Sequence, residues 1–204
     1  MAQVIQHSCQ LLTNVCQGYP SVGLDGALRG TFGSYADVIL QTLTEKIGDN
    51  LQKIRQRADE AYFAAASHPQ FGIKFCLGYL TNDSPAPVKG KGAKGKKPVL
   101  TSKQLKAKYE LLRRLLESYE FSPDQQVLAT KYAVKGIQHA QNDVRAPAYD
   151  CMCELYKQMG GDEISRYTDG LRQASQDTLS AKFQEIDENQ GKPTKQPKKQ
   201  PERR

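Results

Sequence analysis

The residues of this 204-residue chain that could do chemistry fall into three groups, and none has the geometry its chemistry needs. Gly90-Lys91-Gly92-Ala93-Lys94-Gly95-Lys96-Lys97 fits most of a phosphate-binding loop pattern. Such a loop needs a strand before it, a helix after it, and a Ser or Thr hydroxyl for Mg²⁺. Lys97 stands at the hydroxyl position, and Pro85, Pro87 and Pro98 flank the run, so it reads as a solvated linker. Cys151-x-Cys153 suggests a metal. On a helix, however, the two side chains point about 200° apart and cannot hold one ion together. His7, His68 and His139 lie far apart, each without a companion at ligand spacing. Neither a G-x-S-x-G nor an H-E-x-x-H motif occurs, and the acidic residues are scattered as on solvated helix faces. The sequon Asn82-Asp83-Ser84 is read as chance, because the N-terminus lacks the pattern of a signal peptide. No catalytic, cofactor-binding or metal-binding residue is expected, and the chain is not expected to be an enzyme.

One pattern is repeated. Ile54-Arg55-x-x-Ala58 and Val144-Arg145-x-x-Ala148 each stand near a helix start, behind Asp49-Asn50 and Asn142-Asp143. A helical repeat protein re-uses one opening for successive helix pairs. Arg55 and Arg145 are read as structural repeat positions bonding an Asp or a carbonyl of the neighbouring repeat; the other reading is a partner contact. A stack of hairpins lines up its connecting turns along one edge, where a partner would bind. Candidates on or beside those turns are Arg29, His68, Lys74, Phe121, Lys157 and Arg166.

The elements that would position these residues are all helical. Val4, Ile5, Leu11, Leu12 and Val15 predict a first helix over 2–17. Gly18 to Gly33 is a long irregular connection, after which Ser34 can cap a helix carrying Val38, Ile39, Leu43 and Ile47. Asp49 or Asn50 starts a third, ended by His68-Pro69; Pro69 fits the first turn of a short fourth through Phe75 to Tyr79. Thr101 or Ser102 caps a fifth, Ser122-Pro123-Asp124-Gln125 starts a sixth, and Asn142 or Asp143 starts a seventh that ends at Gly160-Gly161. One last helical region runs through Ile164, Leu171, Leu179, Phe183 and Ile186. Nothing alternates long enough to require a sheet. Pairing is expected across His68-Pro69, Phe121-Ser122-Pro123 and Gly160-Gly161. The fold class is therefore all-α: an α-solenoid of about four antiparallel HEAT-like helix pairs. Two pairs fall in 1–82, a disordered Lys/Gly/Pro linker in 83–98, two pairs in 99–188, and a disordered basic tail in 189–204.

Composition supports this division. Hydrophobic residues make up 38% of the chain and charged residues 25%. The net charge of +7 is carried by two segments: five lysines and no acids in 84–98, and six basic residues against one acid in 190–204. The remaining body is mildly acidic, which argues against a folded nucleic-acid-binding face. No aromatic residue interleaves with these lysines, so nucleic acid would be held by backbone attraction alone and is not an expected partner. The chain contains no run of about 18 apolar residues, so no membrane partner is expected. Five cysteines at irregular spacing read as reduced thiols.

The stretch VKGIQHAQNDVRAPAYDCMCELYKQMG, residues 134–160, followed by LSAKFQEID, residues 179–187, resembles the last repeats of a TOG domain. TOG domains are tubulin-binding HEAT-repeat arrays, and the likeness is strongest to the one in a centrosomal protein of the ciliary tip. There too a Val-Arg-x-x-Ala helix opening leads to a Leu/Met-Tyr helix end and a terminal helix closing in Phe-x-x-Ile-Asp. A weaker match runs back through residues 53–80, so that the likeness covers nearly all of 1–188. It implies a non-catalytic module without cofactors that binds αβ-tubulin or microtubules by its intra-repeat turns, alongside other ciliary or centrosomal proteins. The implied location is the cytoplasm and cytoskeleton, at the centriole or ciliary tip. The alternative is a generic HEAT-repeat scaffold that does not bind tubulin.

Overall fold

The computed structural model describes residues 2–18, 37–68, 72–83 and 100–190. Arg29, Ser34 and Pro69, and almost all of the expected linker and tail, lie outside the described residues. Those residues form nine helices and no strand: α1 Ala2–Gly18, α2 over 37–46, α3 Gln52–Ser67, α4 Gly72–Leu80, α5 Ser102–Ser118, α6 Pro123–Ile137, α7 Asn142–Met159, α8 Gly161–Thr168 and α9 Gln173–Gln190.

Local chemistry sets most helix ends. Thr101 caps α5, its hydroxyl accepting from Gln104 N at 3.3 Å while the Gln104 side chain accepts from Thr101 N at 2.9 Å. Pro123 opens α6, and Gln125 Oε1 accepts from Ser122 N at 2.8 Å. Gly160, at φ 84°, closes α7 in a conformation that favours glycine. Two expectations need correction. The last helical region is two helices, because the chain turns at Asp169-Gly170, where Gln176 Nε2 donates to the carbonyls of Thr168 and Asp169. The tail begins later than position 189, since α9 continues to Gln190.

The helices form two layers. In the first, α1 packs on α3, α5 on α7, and α7 on α9. Side chains join α3 to α5: Arg114 pairs with Asp59 and lies 4.7 Å from the Phe63 ring centre, and Phe63 meets Tyr119. In the second layer α4 packs on α6 and α6 on α8, while the Tyr79 hydroxyl of α4 donates to Asp37 at the start of the described part of α2. Tyr62, Leu77, Leu112, Leu115, Ile137, Met152 and Leu155 are fully buried between the layers. Each contributes about 1.5–3 kcal/mol by leaving water.

The pairing across layers differs from the expected one. The close antiparallel neighbour of α7 is α6, whereas α5 and α6, joined at Phe121-Ser122-Pro123, touch little. Gly136 is the physical reason. A Cβ there would lie 2.6 Å from the Ala148 Cβ and 2.4 Å from the Tyr109 ring, so only glycine lets α6 come this close to α5 and α7.

The expected linker also starts later than position 83. The Lys108 ammonium on α5, 1% exposed, donates to Asn82 O at 2.8 Å and to Asp83 Oδ1 at 3.1 Å. Tyr132 donates to the same carboxylate at 3.0 Å, and Lys135 pairs with it. Burial pushes the Asp83 carboxyl up, but Lys135, Lys108 and Tyr132 outweigh it and hold the group below the usual carboxylate range. Burial lowers the Lys108 ammonium, with Asp83 opposing.

Candidate interaction site

Arg55 and Arg145 build the same turn twice. Arg55 Nη1 reaches back from α3 and donates to the carbonyls of Asp49 and Asn50, at 2.7 and 3.0 Å. Arg145 Nη1 reaches back from α7 and donates to the carbonyls of His139 and Ala140, at 3.0 and 2.6 Å. In each turn the residue six before the arginine also accepts a backbone N–H with its side chain. Asp49 Oδ1 accepts from Leu51 N at 3.0 Å, and His139 Nδ1 accepts from Gln141 N at 3.1 Å. The arginine therefore closes a loop whose last residue, Leu51 or Gln141, leads into the helix. Expected to start at Asp49-Asn50 and Asn142-Asp143, α3 and α7 have Leu51 and Gln141 as their N-caps. Each helix is started by the arginine clamp, with no side-chain cap bond from the N-cap residue itself.

These turns lie on one edge of the stack. Lys103 Nζ, at the start of α5, donates to Asn50 Oδ1 at 3.0 Å. A Cβ on Gly48 would lie 2.8 Å from Gln104 Cα, so the α2–α3 turn rests directly against the first turn of α5. A groove lined by Gln52, Arg55, Lys103 and Asp143 leads on to the α6–α7 turn. A second cleft, lined by His139, Asn142, Arg172 and Ser175, joins that turn to the α8–α9 turn. Asn50, Leu51, Lys103, Ala140, Gln141 and Arg172 are exposed along this edge, Leu51 to 53%. Asp83 and Leu100, which flank the lysine-rich residues 84–99, lie next to the helices that meet here.

The opposite edge is knitted shut by side chains. Ser67 Oγ and the Tyr119 hydroxyl share a hydrogen bond of 2.5 Å, joining the end of α3 to the end of α5. Gln158 donates to the carbonyls of Leu116 and Tyr119 and accepts from Phe121 N, at 2.7, 3.1 and 3.2 Å. Most of the expected contact residues belong to this edge. His68 and Phe121 are buried, not displayed: the end of α7 covers the turn after α5. Lys74 is exposed in the first turn of α4. Lys157, near the end of α7, is half-exposed and pairs with Glu154 at 2.7 Å. Arg166 sits in α8 and pairs with Glu163 at 3.0 Å. The structure thus does not bring the six together. The residues that the first edge displays were signalled only indirectly, by the arginine four positions after each N-cap.

Among the described residues no cluster of His, Cys, Asp or Glu could hold a metal, and no helix is long and apolar enough to cross a membrane. Cys151 is fully buried and donates its thiol to Tyr109 O at 3.1 Å; burial pushes that thiol well up, and with it any reactivity down.

No protein-family model matches the chain, and no curated protein matches it in sequence. Solved structures do. The TOG domain of human Cep104 is 19% identical, with a TM-score of 0.67 over 91% of this chain and 69% of that one. Drosophila melanogaster Mini spindles TOG3 is 16% identical, with a TM-score of 0.66 over 90% and 68%. A chain solved in connection with TOG–tubulin binding specificity and mitotic spindle formation is 17% identical, with a TM-score of 0.61 over 89% and 61%. The chain therefore spans 61% to 69% of the length of these three. Two stacked helix layers, a repeated arginine-clamped turn and this agreement over nine-tenths of the chain establish that it has the fold of a TOG domain, an all-helical HEAT-repeat array.

Proposed function

We propose that the protein is a non-catalytic tubulin- or microtubule-binding module of a ciliary or centrosomal protein, acting at the cytoskeleton of the centriole or ciliary tip. The binding surface is the edge that carries the arginine-clamped turns, with Asn50, Leu51, Lys103, Ala140, Gln141 and Arg172 in contact. The observation that carries this reading is the duplicated turn: Asp49–Arg55 and His139–Arg145 present the same backbone shape twice along one edge of a TOG-type fold. Rigid turns lose little freedom on binding, which favours affinity from a small contact area. Tubulin is an acidic partner, and the lysines of 84–98 flanking this edge favour its approach in a salt-dependent way.

A second reading is a HEAT-repeat scaffold for another protein. It is favoured by the span of the chain, which covers only part of the TOG domains it resembles. Gel filtration with αβ-tubulin dimer separates the two. Co-elution at physiological salt is expected. Elution of the two proteins apart at about 10 µM of each, an affinity weaker than about 8 kcal/mol would give, contradicts the tubulin reading and leaves the scaffold.

A further inference from the structure

We infer that the outer face of α1 is a self-association surface, which pairs antiparallel with α1 of a second copy of the chain. α1 is apolar on two opposite sides. Cys9 is buried, and Ile5 and Leu12 are half-buried beside it, on the side that packs on α3. Val4 and Leu11, one stripe at i and i+7, lie on the opposite side and are 66% and 64% exposed. A helix at the edge of a folded stack normally turns a charged face to water. The helix at the other end does so: the outward positions of α9 include Asp177, Gln184, Glu185, Asp187 and Glu188, all exposed. Repeat arrays need such polar capping to stay soluble. α1 has no Asp, Glu, Lys or Arg in its 17 residues.

The lack of charge favours a second copy over an unrelated partner. In a two-fold interface each residue near the axis meets itself, so any charge there would face its own image. An uncharged stripe escapes that repulsion. The stripe also has the spacing for self-pairing. With the two-fold axis crossing α1 between His7 and Ser8, Val4 of one copy meets Leu11 of the other, twice. The small Ser8 at the axis lets the helices approach. Its hydroxyl already donates to Val4 O at 2.9 Å, and Gln10 Nε2 donates to Asn14 Oδ1 at 3.0 Å, so these polar groups are paired within their own helix. One helix face is smaller than a standard interface of about 800 Å² per partner, so the association is weak and concentration-dependent.

Sedimentation velocity of the full chain over roughly 5–500 µM, the range set by the micromolar-to-millimolar affinities of small contacts, tests this. The wild type is expected to move from 22.7 kDa towards twice that mass. Val4→Glu and Leu11→Glu each weaken association at least tenfold with an unchanged circular dichroism spectrum. The double variant V4E/L11K, which places Glu opposite Lys across the axis, regains association over either Glu variant. A wild type that stays monomeric throughout, or self-association that Leu11→Glu leaves intact, overturns the proposal. So does a V4E/L11K double variant no better than the single ones.

Discussion

The two edges of the stack are made of the same kind of turn, yet they are built differently. On one edge the turns are held from within, each by an arginine from the helix that follows, and their outer atoms stay free. On the other, the connections are held from outside by neighbouring helices: Gln158 grips the α5–α6 connection and Tyr119 meets Ser67. A turn that stabilises itself can display its surface. A turn that depends on its neighbours is covered by them. Binding and stability are therefore divided between the edges, and substitutions should separate the two.

The largest effect is expected on the covered edge. Phe121→Ala should lower stability by about 3–5 kcal/mol, the range for emptying a buried aromatic site, measured by urea unfolding. The folded fraction should bind its partner as the wild type does. Asp83→Asn comes next, at about 3 kcal/mol, because it leaves the Lys108 ammonium buried beside a neutral amide. The same carboxylate gives a pH signature. Its folded-state value lies below the unfolded one, so its contribution is present above the ordinary carboxylate value and is lost as pH falls through the folded one. Wild-type stability should fall below about pH 4, and Asp83→Asn should flatten that limb. Gly136→Ala should cost about 1–3 kcal/mol by wedging α6 away from Ala148, in spite of the better helix propensity of alanine. On the displayed edge, Arg55→Ala or Arg145→Ala should cost about 1.5–3 kcal/mol through the lost charge-assisted bonds, and should weaken tubulin binding more than any variant named so far. The smallest effect is expected from Lys74→Glu and Lys157→Glu, within about 0.5 kcal/mol in stability, as for exposed positions generally.

The difference between the edges also marks what could be read from sequence. Helix content was legible because its signals are local: Thr101 with Gln104, Pro123 after Ser122, and Gly160 past the last apolar turn of α7. The repeat was legible in Arg55 and Arg145. Which breaks join close pairs was not, because that depends on a contact between distant residues, Gly136 against Ala148 and Tyr109. With the pairing shifted by one helix, the displayed edge was sought where His68 and Phe121 are buried. The carbonyls that each arginine holds precede it by five and six residues, a local relation that points to the correct edge once the clamp is seen as the start of its helix.

The central claim is that the arginine-clamped edge is the surface that meets tubulin. Titrating labelled αβ-tubulin with the triple variant R55A/L51E/R145A and with K74E/K157E, both checked for folding, tests it directly. The account predicts at least a tenfold loss of affinity, about 1.4 kcal/mol or more, for the triple variant and wild-type binding for the double one. Undiminished binding by the triple variant, or a loss confined to K74E/K157E, would contradict it.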